Sequence, residues 1–343
     1  METLEGSGRG PGDVGNVNCP NKEERTMKPF IAITIGDPAG IGPEIALKAA
    51  TDREVLQHCR PVLVGPQDIW EQAAKAFGLK TTGLEIHDIY CQKFFLTPGK
   101  TSAQSGGIAA RSIIAGALLA LDNQVSALVT APISKLALRQ AGYEQPGHTE
   151  LLAEICGIKN FGMMFASENI KVTLATIHQA YAQVPKTLTT EIIRQKIELT
   201  QKALMNWWGI KNPRIGVLGL NPHAGEDGLF GSEEKKIILP AVRYFQKTGC
   251  AVTGPLSSES GFGLIRRRKL DALIAMYHDQ GLLPLKVLGG AINITLGLPI
   301  IRTSPDHGTA LDIAWQNKAD HLPMKKAILL AAALGAKNNK YAL

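Results

Sequence analysis

Cysteine is scarce: Cys19, Cys59, Cys91, Cys156 and Cys250 make five in 343 residues, odd in number, widely spaced and without a Cys-x-x-Cys pair. That argues against both a disulfide framework and a zinc ribbon. Long apolar runs are also lacking. None approaches the roughly 20 residues that cross a bilayer, and the polar, Gly-rich stretch up to Met27 has no apolar signal segment. The expectation is a cytoplasmic protein with no membrane partner. No basic motif interleaved with aromatics occurs, so nucleic acid is not an expected partner despite a net charge of +7. The phosphate-binding P-loop and the dinucleotide glycine fingerprint are both missing.

What is present is ordinary enzyme composition, 45% apolar and 20% charged, with enough chain for one large or two medium domains. Residues 1–27 read as a disordered extension; its first 26 carry five acids against three bases, and a start at Met27 is compatible with the pattern. Beyond it, short apolar runs alternate with Ala/Leu-rich stretches. Strands are expected at 30–35, 61–64, 127–130, 172–177, 215–220 and 272–277. Helices are expected at 44–50, 107–121, 150–156, 190–207, 233–246 and 324–335. The alternation predicts an α/β fold with a mainly parallel sheet.

Three histidines share one position in this pattern. His178 and His278 directly follow expected strands, and His223 follows another by three residues. Ligands of α/β sheets bind beyond the carboxyl ends of strands, and neutral imidazoles are common metal ligands. The alternative is three unrelated loop histidines bonded to backbone; their shared placement favours a metal. The segment 276–315 is dense in specific chemistry, with Lys286, Asn293, Arg302, Asp306 and His307 expected in loops between apolar segments. Lys286, Asn293 and Arg302 suit an anionic substrate, or are solvated charge. Two turns stay open between ligand and local structure. The Gly36–Glu44 turn can present helix N–H groups to an anion or simply turn the chain. Thr149 can cap the next helix, which puts His148 and Thr149 at a positive helix end suited to phosphate.

Together these segments resemble the 4-hydroxythreonine-4-phosphate dehydrogenase family of vitamin B6 biosynthesis. The matching stretches are ITIGDPAGIGPEI (33–45), TAPISK (130–135), PGHTELLAE (146–154), GLNPHAGEDGLFG (219–231), and MYHDQGLLPLK through DHGTALDIAW (276–315). The family is related to the isocitrate and isopropylmalate dehydrogenases. The resemblance implies two α/β/α domains, 28–135 plus 300–343 on the cofactor side and 136–299 for substrate, metal and dimerisation, with the active site in the cleft and completed across a homodimer. It implies a divalent metal (Zn, Mg or Co) on His178, His223 and His278. It implies substrate contacts at His148, Thr149, Lys286, Asn293 and Arg302, and NAD or NADP along Ser304, Asp306, His307, Gly308, Thr309 and Ala310. Lys286, His148 and Glu259 are the catalytic candidates.

The implied reaction oxidises 4-phosphooxy-L-threonine at its 3-hydroxyl and decarboxylates it to 3-amino-2-oxopropyl phosphate. A paralogous dehydrogenase of 4-phospho-D-threonate or 4-phospho-D-erythronate is the alternative. Three departures from the family pattern bear on that choice. Glu259 stands where an aspartate is usual, within Gly254-Pro255-Leu256-Ser257-Ser258-Glu259-Ser260. The connection from Lys286 to Asn293 is two residues shorter than usual. Gln179-Ala180-Tyr181-Ala182 replaces an apolar-Leu-Arg pattern after His178.

Overall fold

The structure, a computed structural model, describes residues 28–91 and 96–337; the expected N-terminal extension lies outside them. Its strands, in chain order, are β1 (Phe30–Thr34), β2 (Arg60–Val64), β3 (Glu85–His87), β4 (Ala127–Thr130), β5 (Gly162–Ala166), β6 (Lys171–Leu174), β7 (Ile215–Leu218), β8 (Val252–Leu256), β9 (Ala272–Ala275), β10 (Ile292–Leu296) and β11 (Arg302–Pro305). They form one sheet ordered β3-β2-β1-β4-β11-β10-β5-β6-β9-β7-β8.

Each end of this sheet is parallel, and each parallel half is covered on both faces. In β1, Ile31 and Ile33 pack with the helices Gly42–Ala50 and Leu322–Lys337, while Ala32 faces the helix Ala103–Leu121. In β9, Ala272 and Ile274 join the core under the helix Thr190–Asn206, while Leu273 and Ala275 join the opposite core. Continuous apolar runs such as Ala272–Ala275 are what strands buried on both faces require. The helix Ala103–Leu121 is long and apolar enough by composition to cross a membrane, but exposed Gln104 and Arg111 interrupt it and its apolar face is buried. Here that face fills the core between β1 and β4.

The sheet is less uniformly parallel than expected. The pairings β11–β10, β10–β5 and β5–β6 are antiparallel. The register sets Arg302 and Ser304 of β11 beside Thr295 and Asn293 of β10, with Met163 of β5 next along. Alternation along a strand turns these residues to one face, so the seam between the parallel halves has a polar floor. The six expected strands are present, most of them shorter at one end. The strands at 85–87, 162–166, 252–256, 292–296 and 302–305 were not expected.

Asn293 and Arg302 therefore lie on strands and Lys286 on the helix His278–Val287, not in loops. The helix after Gly147 begins at His148 with Gly147 as its cap, so Thr149 is inside the first turn and caps nothing. The Gly36–Glu44 turn proves to be conformational: a Cβ on Gly42 would lie 2.3 Å from the Ile35 carbonyl oxygen. Several of its polar groups are used internally, although Asp37 Oδ2 and Glu44 Oε2 are buried without a hydrogen-bond partner among the described residues. Ala39 N–H donates to Asp37 Oδ1, Ile41 N–H to the Thr309 carbonyl, and Ala319 N–H to buried Glu44. The turn thus braces the 309–319 segment.

Candidate active site

A cleft of about 750 Å³ lies over the polar floor. Its walls are the segment Pro146–Glu150, the β4 end with Lys135 beyond it, His178 and Gln179, and the segment Ser304–Gly308. Arg302, expected as a substrate contact or else a solvated charge, is buried, only 2% exposed. Its Nε and Nη2 donate to Thr130 Oγ1 (3.1 and 2.6 Å), and Nη1 donates to Thr295 Oγ1 (3.0 Å). Among the described residues no carboxylate pairs with it. Burial pulls its pKa down to about 10, with Glu150 partly opposing, so it stays a cation at neutral pH.

A buried cation without a counter-ion is costly unless something supplies the missing charge. Hydroxyl partners fix the guanidinium plane and leave the charge uncompensated. Two further polar atoms are buried in this region without a protein partner, Asn293 Oδ1 and His307 Nε2. Both residues line the cleft. The arrangement is ready for a small, polar, anionic molecule.

His148 stands at the start of the helix His148–Ile155, where unsatisfied N–H groups favour negative charge. Its Nε2 lies 3.0 Å from the Ala131 carbonyl oxygen, so Nε2 carries the proton and Nδ1 is the acceptor. Burial first, and then the charge of Arg302, push its pKa down to about 3. It is a neutral hydrogen-bonding group and a weak base. Thr149 beside it is buried. Lys286 approaches Asp306, which lines this cleft, with Nζ 3.6 Å from Asp306 Oδ2. Burial raises the Asp306 carboxyl, against the pull of Lys286. Ser304 is buried on β11, Gly308 is exposed, and Thr309 and Ala310 continue onto the Gly36–Glu44 brace.

The three strand-end histidines follow β6, β9 and β7, which are adjacent and parallel. His178 and His278 come together, with ring centroids 5.5 Å apart. Burial, Lys135 and His278 hold His178 below the usual imidazole range. His278 Nδ1 lies 2.7 Å from Asp279 Oδ1, and Tyr181 donates its hydroxyl proton to the other Asp279 oxygen. The His223 ring lies 6.3 Å from that of Phe230. Among the described residues no three His, Cys, Asp or Glu side chains gather as a metal site. Glu259 is also separate: it lines an adjoining cavity of about 580 Å³ with Tyr181, Phe262, Tyr277 and Asp279.

Several participants escaped sequence reasoning. Thr130 and Thr295 position Arg302, but nothing local marks a strand threonine as an arginine partner. Tyr181 lies in the segment that departs from the family pattern, which was a usable signal. Gln280 ties two strand ends together, accepting from Met276 N–H and donating to the Gly219 carbonyl and Ser258 Oγ.

This is a layered α/β protein whose central cleft holds a buried arginine suited to a small anion, with imidazoles at neighbouring strand ends. The chain matches the family model described as pyridoxal phosphate biosynthetic protein PdxA over residues 57–331, and it belongs to that family. It is 42% identical to the 4-hydroxythreonine-4-phosphate dehydrogenase of Trichlorobacter lovleyi, covering 91% of this chain and 99% of that one. It is 39% identical to the D-threonate 4-phosphate dehydrogenase of Pectobacterium atrosepticum, covering 90% and 100%. A crystal structure of 4-hydroxythreonine-4-phosphate dehydrogenase from Klebsiella pneumoniae superposes with a TM-score of 0.85 at 38% identity, covering 91% and 99%.

Proposed function

We propose that this chain is an NAD(P)-linked, metal-dependent dehydrogenase that oxidises 4-phosphooxy-L-threonine at the 3-hydroxyl and decarboxylates the product. The observation that carries the reading is Arg302, buried and without a carboxylate partner in a cleft sized for such a molecule. Arg302, His148, Thr149 and Asn293 bind the substrate's anionic and polar groups. The neutral Nε2–H tautomer of His148 suits it to accept a hydrogen bond rather than to remove a proton.

Lys286 is the proton-handling group, and its tie to Asp306 sets it beside the Ser304–Ala310 segment assigned to the nicotinamide cofactor. The hydroxyl proton leaves for a base while a hydride leaves C3 for NAD(P)+. The resulting β-keto acid releases its carboxylate as CO2, and a proton added at C2 gives 3-amino-2-oxopropyl phosphate. His178 and His278, whose rings come together, would hold a divalent cation, with His223 assigned as third ligand; Zn, Mg or Co bound there would supply Lewis-acid polarisation of the hydroxyl. Glu259, the third catalytic candidate, lines a separate cavity from the one that holds Arg302, and no step is assigned to it. The domain division is 28–135 plus 300–343 against 136–299, and the enzyme works as a homodimer with its site at the subunit interface.

A second reading, oxidation of 4-phospho-D-threonate or 4-phospho-D-erythronate, is favoured by the similar identity to relatives of either name. Turnover assays with each phosphate, NAD+ or NADP+ and a divalent metal separate the two. Activity with 4-phosphooxy-L-threonine is the expected result. Turnover confined to the sugar-acid phosphates would establish the second reading.

A further inference from the structure

The turn that carries His223 has an unusual backbone. His223, Ala224, Gly225, Glu226 and Asp227 have φ of 51, 54, 82, 41 and 53°, five consecutive left-handed residues of which one is glycine. L-residues avoid this region because Cβ crowds the following carbonyl, and they visit it singly rather than in runs. Such a run persists only when surrounding structure over-determines it.

What surrounds it is a single helical turn, Glu233-Glu234-Lys235. Glu234 is 3% exposed. Its Oε1 accepts from the N–H groups of Leu220 (2.8 Å) and Asn221 (2.7 Å), and its Oε2 accepts from Asn221 Nδ2 (3.0 Å). A Cβ on Gly225 would lie 2.7 Å from Glu234 Oε2, so the turn is seated against the carboxylate. Glu233 takes a second bond from Asn221 Nδ2 (2.9 Å), and Lys235 donates to the Asp227 carbonyl at the far end. The helix here is π-helical from Glu234 to Ile238, a local irregularity often found at functional sites. No step of the reaction uses Glu234. Its carboxylate is nevertheless buried and fully engaged with the residues that precede His223.

We propose that Glu234 is a positioning residue that locks the left-handed turn carrying His223. It thereby fixes where that imidazole is presented. The consequence for metal binding rests on the reading of His223 as a ligand; the clamp itself does not.

The test uses the full-length, metal-free protein. Amide hydrogen exchange is followed at Leu220 and Asn221, and Co2+ is titrated by its visible absorbance. Glu234→Ala should speed exchange at both amides by about tenfold or more. It should weaken Co2+ binding about 10–100-fold, as loss of an outer-shell partner does. Glu234→Gln keeps one acceptor oxygen for the two backbone N–H groups, so it should restore much of both; it also carries the test if the alanine variant does not fold. Combining Glu234→Ala with His223→Ala should weaken Co2+ binding no further than His223→Ala alone. Wild-type exchange in Glu234→Ala overturns the clamp, and losses of Co2+ affinity that add in the double variant overturn its action through His223. If His223→Ala leaves Co2+ affinity unchanged, the ligand assignment fails by itself, and the exchange rates still decide the clamp.

Discussion

The two ends of the cleft differ in how complete they are within one chain. At the Arg302 end every supporting contact is in place: threonines from β4 and β10 orient the guanidinium, and a helix start bearing His148 and Thr149 faces the same space. At the histidine end, His178 and His278 meet while His223 is carried on its own left-handed turn. The difference follows from the scaffold. Arg302 sits mid-sheet, where its position is set by strand register. The histidines sit on loops past strand ends, where position depends on how each loop is braced. An anion site built on strands is preorganised; a metal site built on loops depends on each loop's own supports.

The largest expected effect is at the strand-built end. Arg302→Met should lower kcat/KM about 1,000-fold or more, chiefly through KM, because charge-assisted bonds to the substrate are lost. Arg302→Lys should recover little of that, since an ammonium cannot reproduce the planar fork held by Thr130 and Thr295. Steady-state kinetics with the substrate phosphate measure both. A mild KM effect would move the anion site elsewhere.

At the loop-built end, His178→Ala should weaken divalent metal binding by more than about 100-fold while leaving the metal-free protein's affinity for the phosphate intact. Calorimetric titration with the metal alone and with the phosphate alone makes the separation. Loss of both together would show that the ends are not independent.

A third, smaller effect belongs to His148. The unfolded chain takes up a proton near pH 6.5, whereas the folded chain does so only near pH 3. Between these values the unfolded state holds more protons, so stability falls as pH drops, by up to about 1.4 kcal/mol per pH unit. Above pH 6.5 the group contributes no pH dependence. His148→Asn should flatten that acid slope in urea unfolding between pH 6.5 and 4.5; an unchanged slope would mean that other groups set it.

The smallest effects are expected around the adjoining cavity. Tyr181→Phe removes the hydroxyl bonded to Asp279 and should alter kcat by a few-fold, about the scale of one partly exposed hydrogen bond. Glu259→Gln should change kcat/KM less than about threefold, because its cavity is not the one that holds Arg302. A large loss in Glu259→Gln would bring that carboxylate into the chemistry and join the two cavities functionally.

Much of this scaffold was legible in the chain. Ala272–Ala275 and Ala127–Thr130 read as buried strands because an unbroken apolar run has few other homes. The shared strand-end position of the three histidines followed from those strands. The seam was not legible. Ile292–Leu296 mixes Asn and Thr into its apolar residues, and Arg302–Pro305 opens on a charge, so both resembled loops. The burial of Arg302 was not legible because it is decided by hydroxyls that come from 172 and seven residues away. The left-handed turn that carries His223 was equally hidden, since the Glu234 carboxylate bonded to it comes from 11 residues further on.

The most direct test of a preorganised anion end is calorimetric titration of 4-phosphooxy-L-threonine into protein stripped of metal with a chelator. The expected result is saturable binding by the wild-type chain that Arg302→Met abolishes. Absence of binding until metal is restored, or equal binding by Arg302→Met, would contradict it.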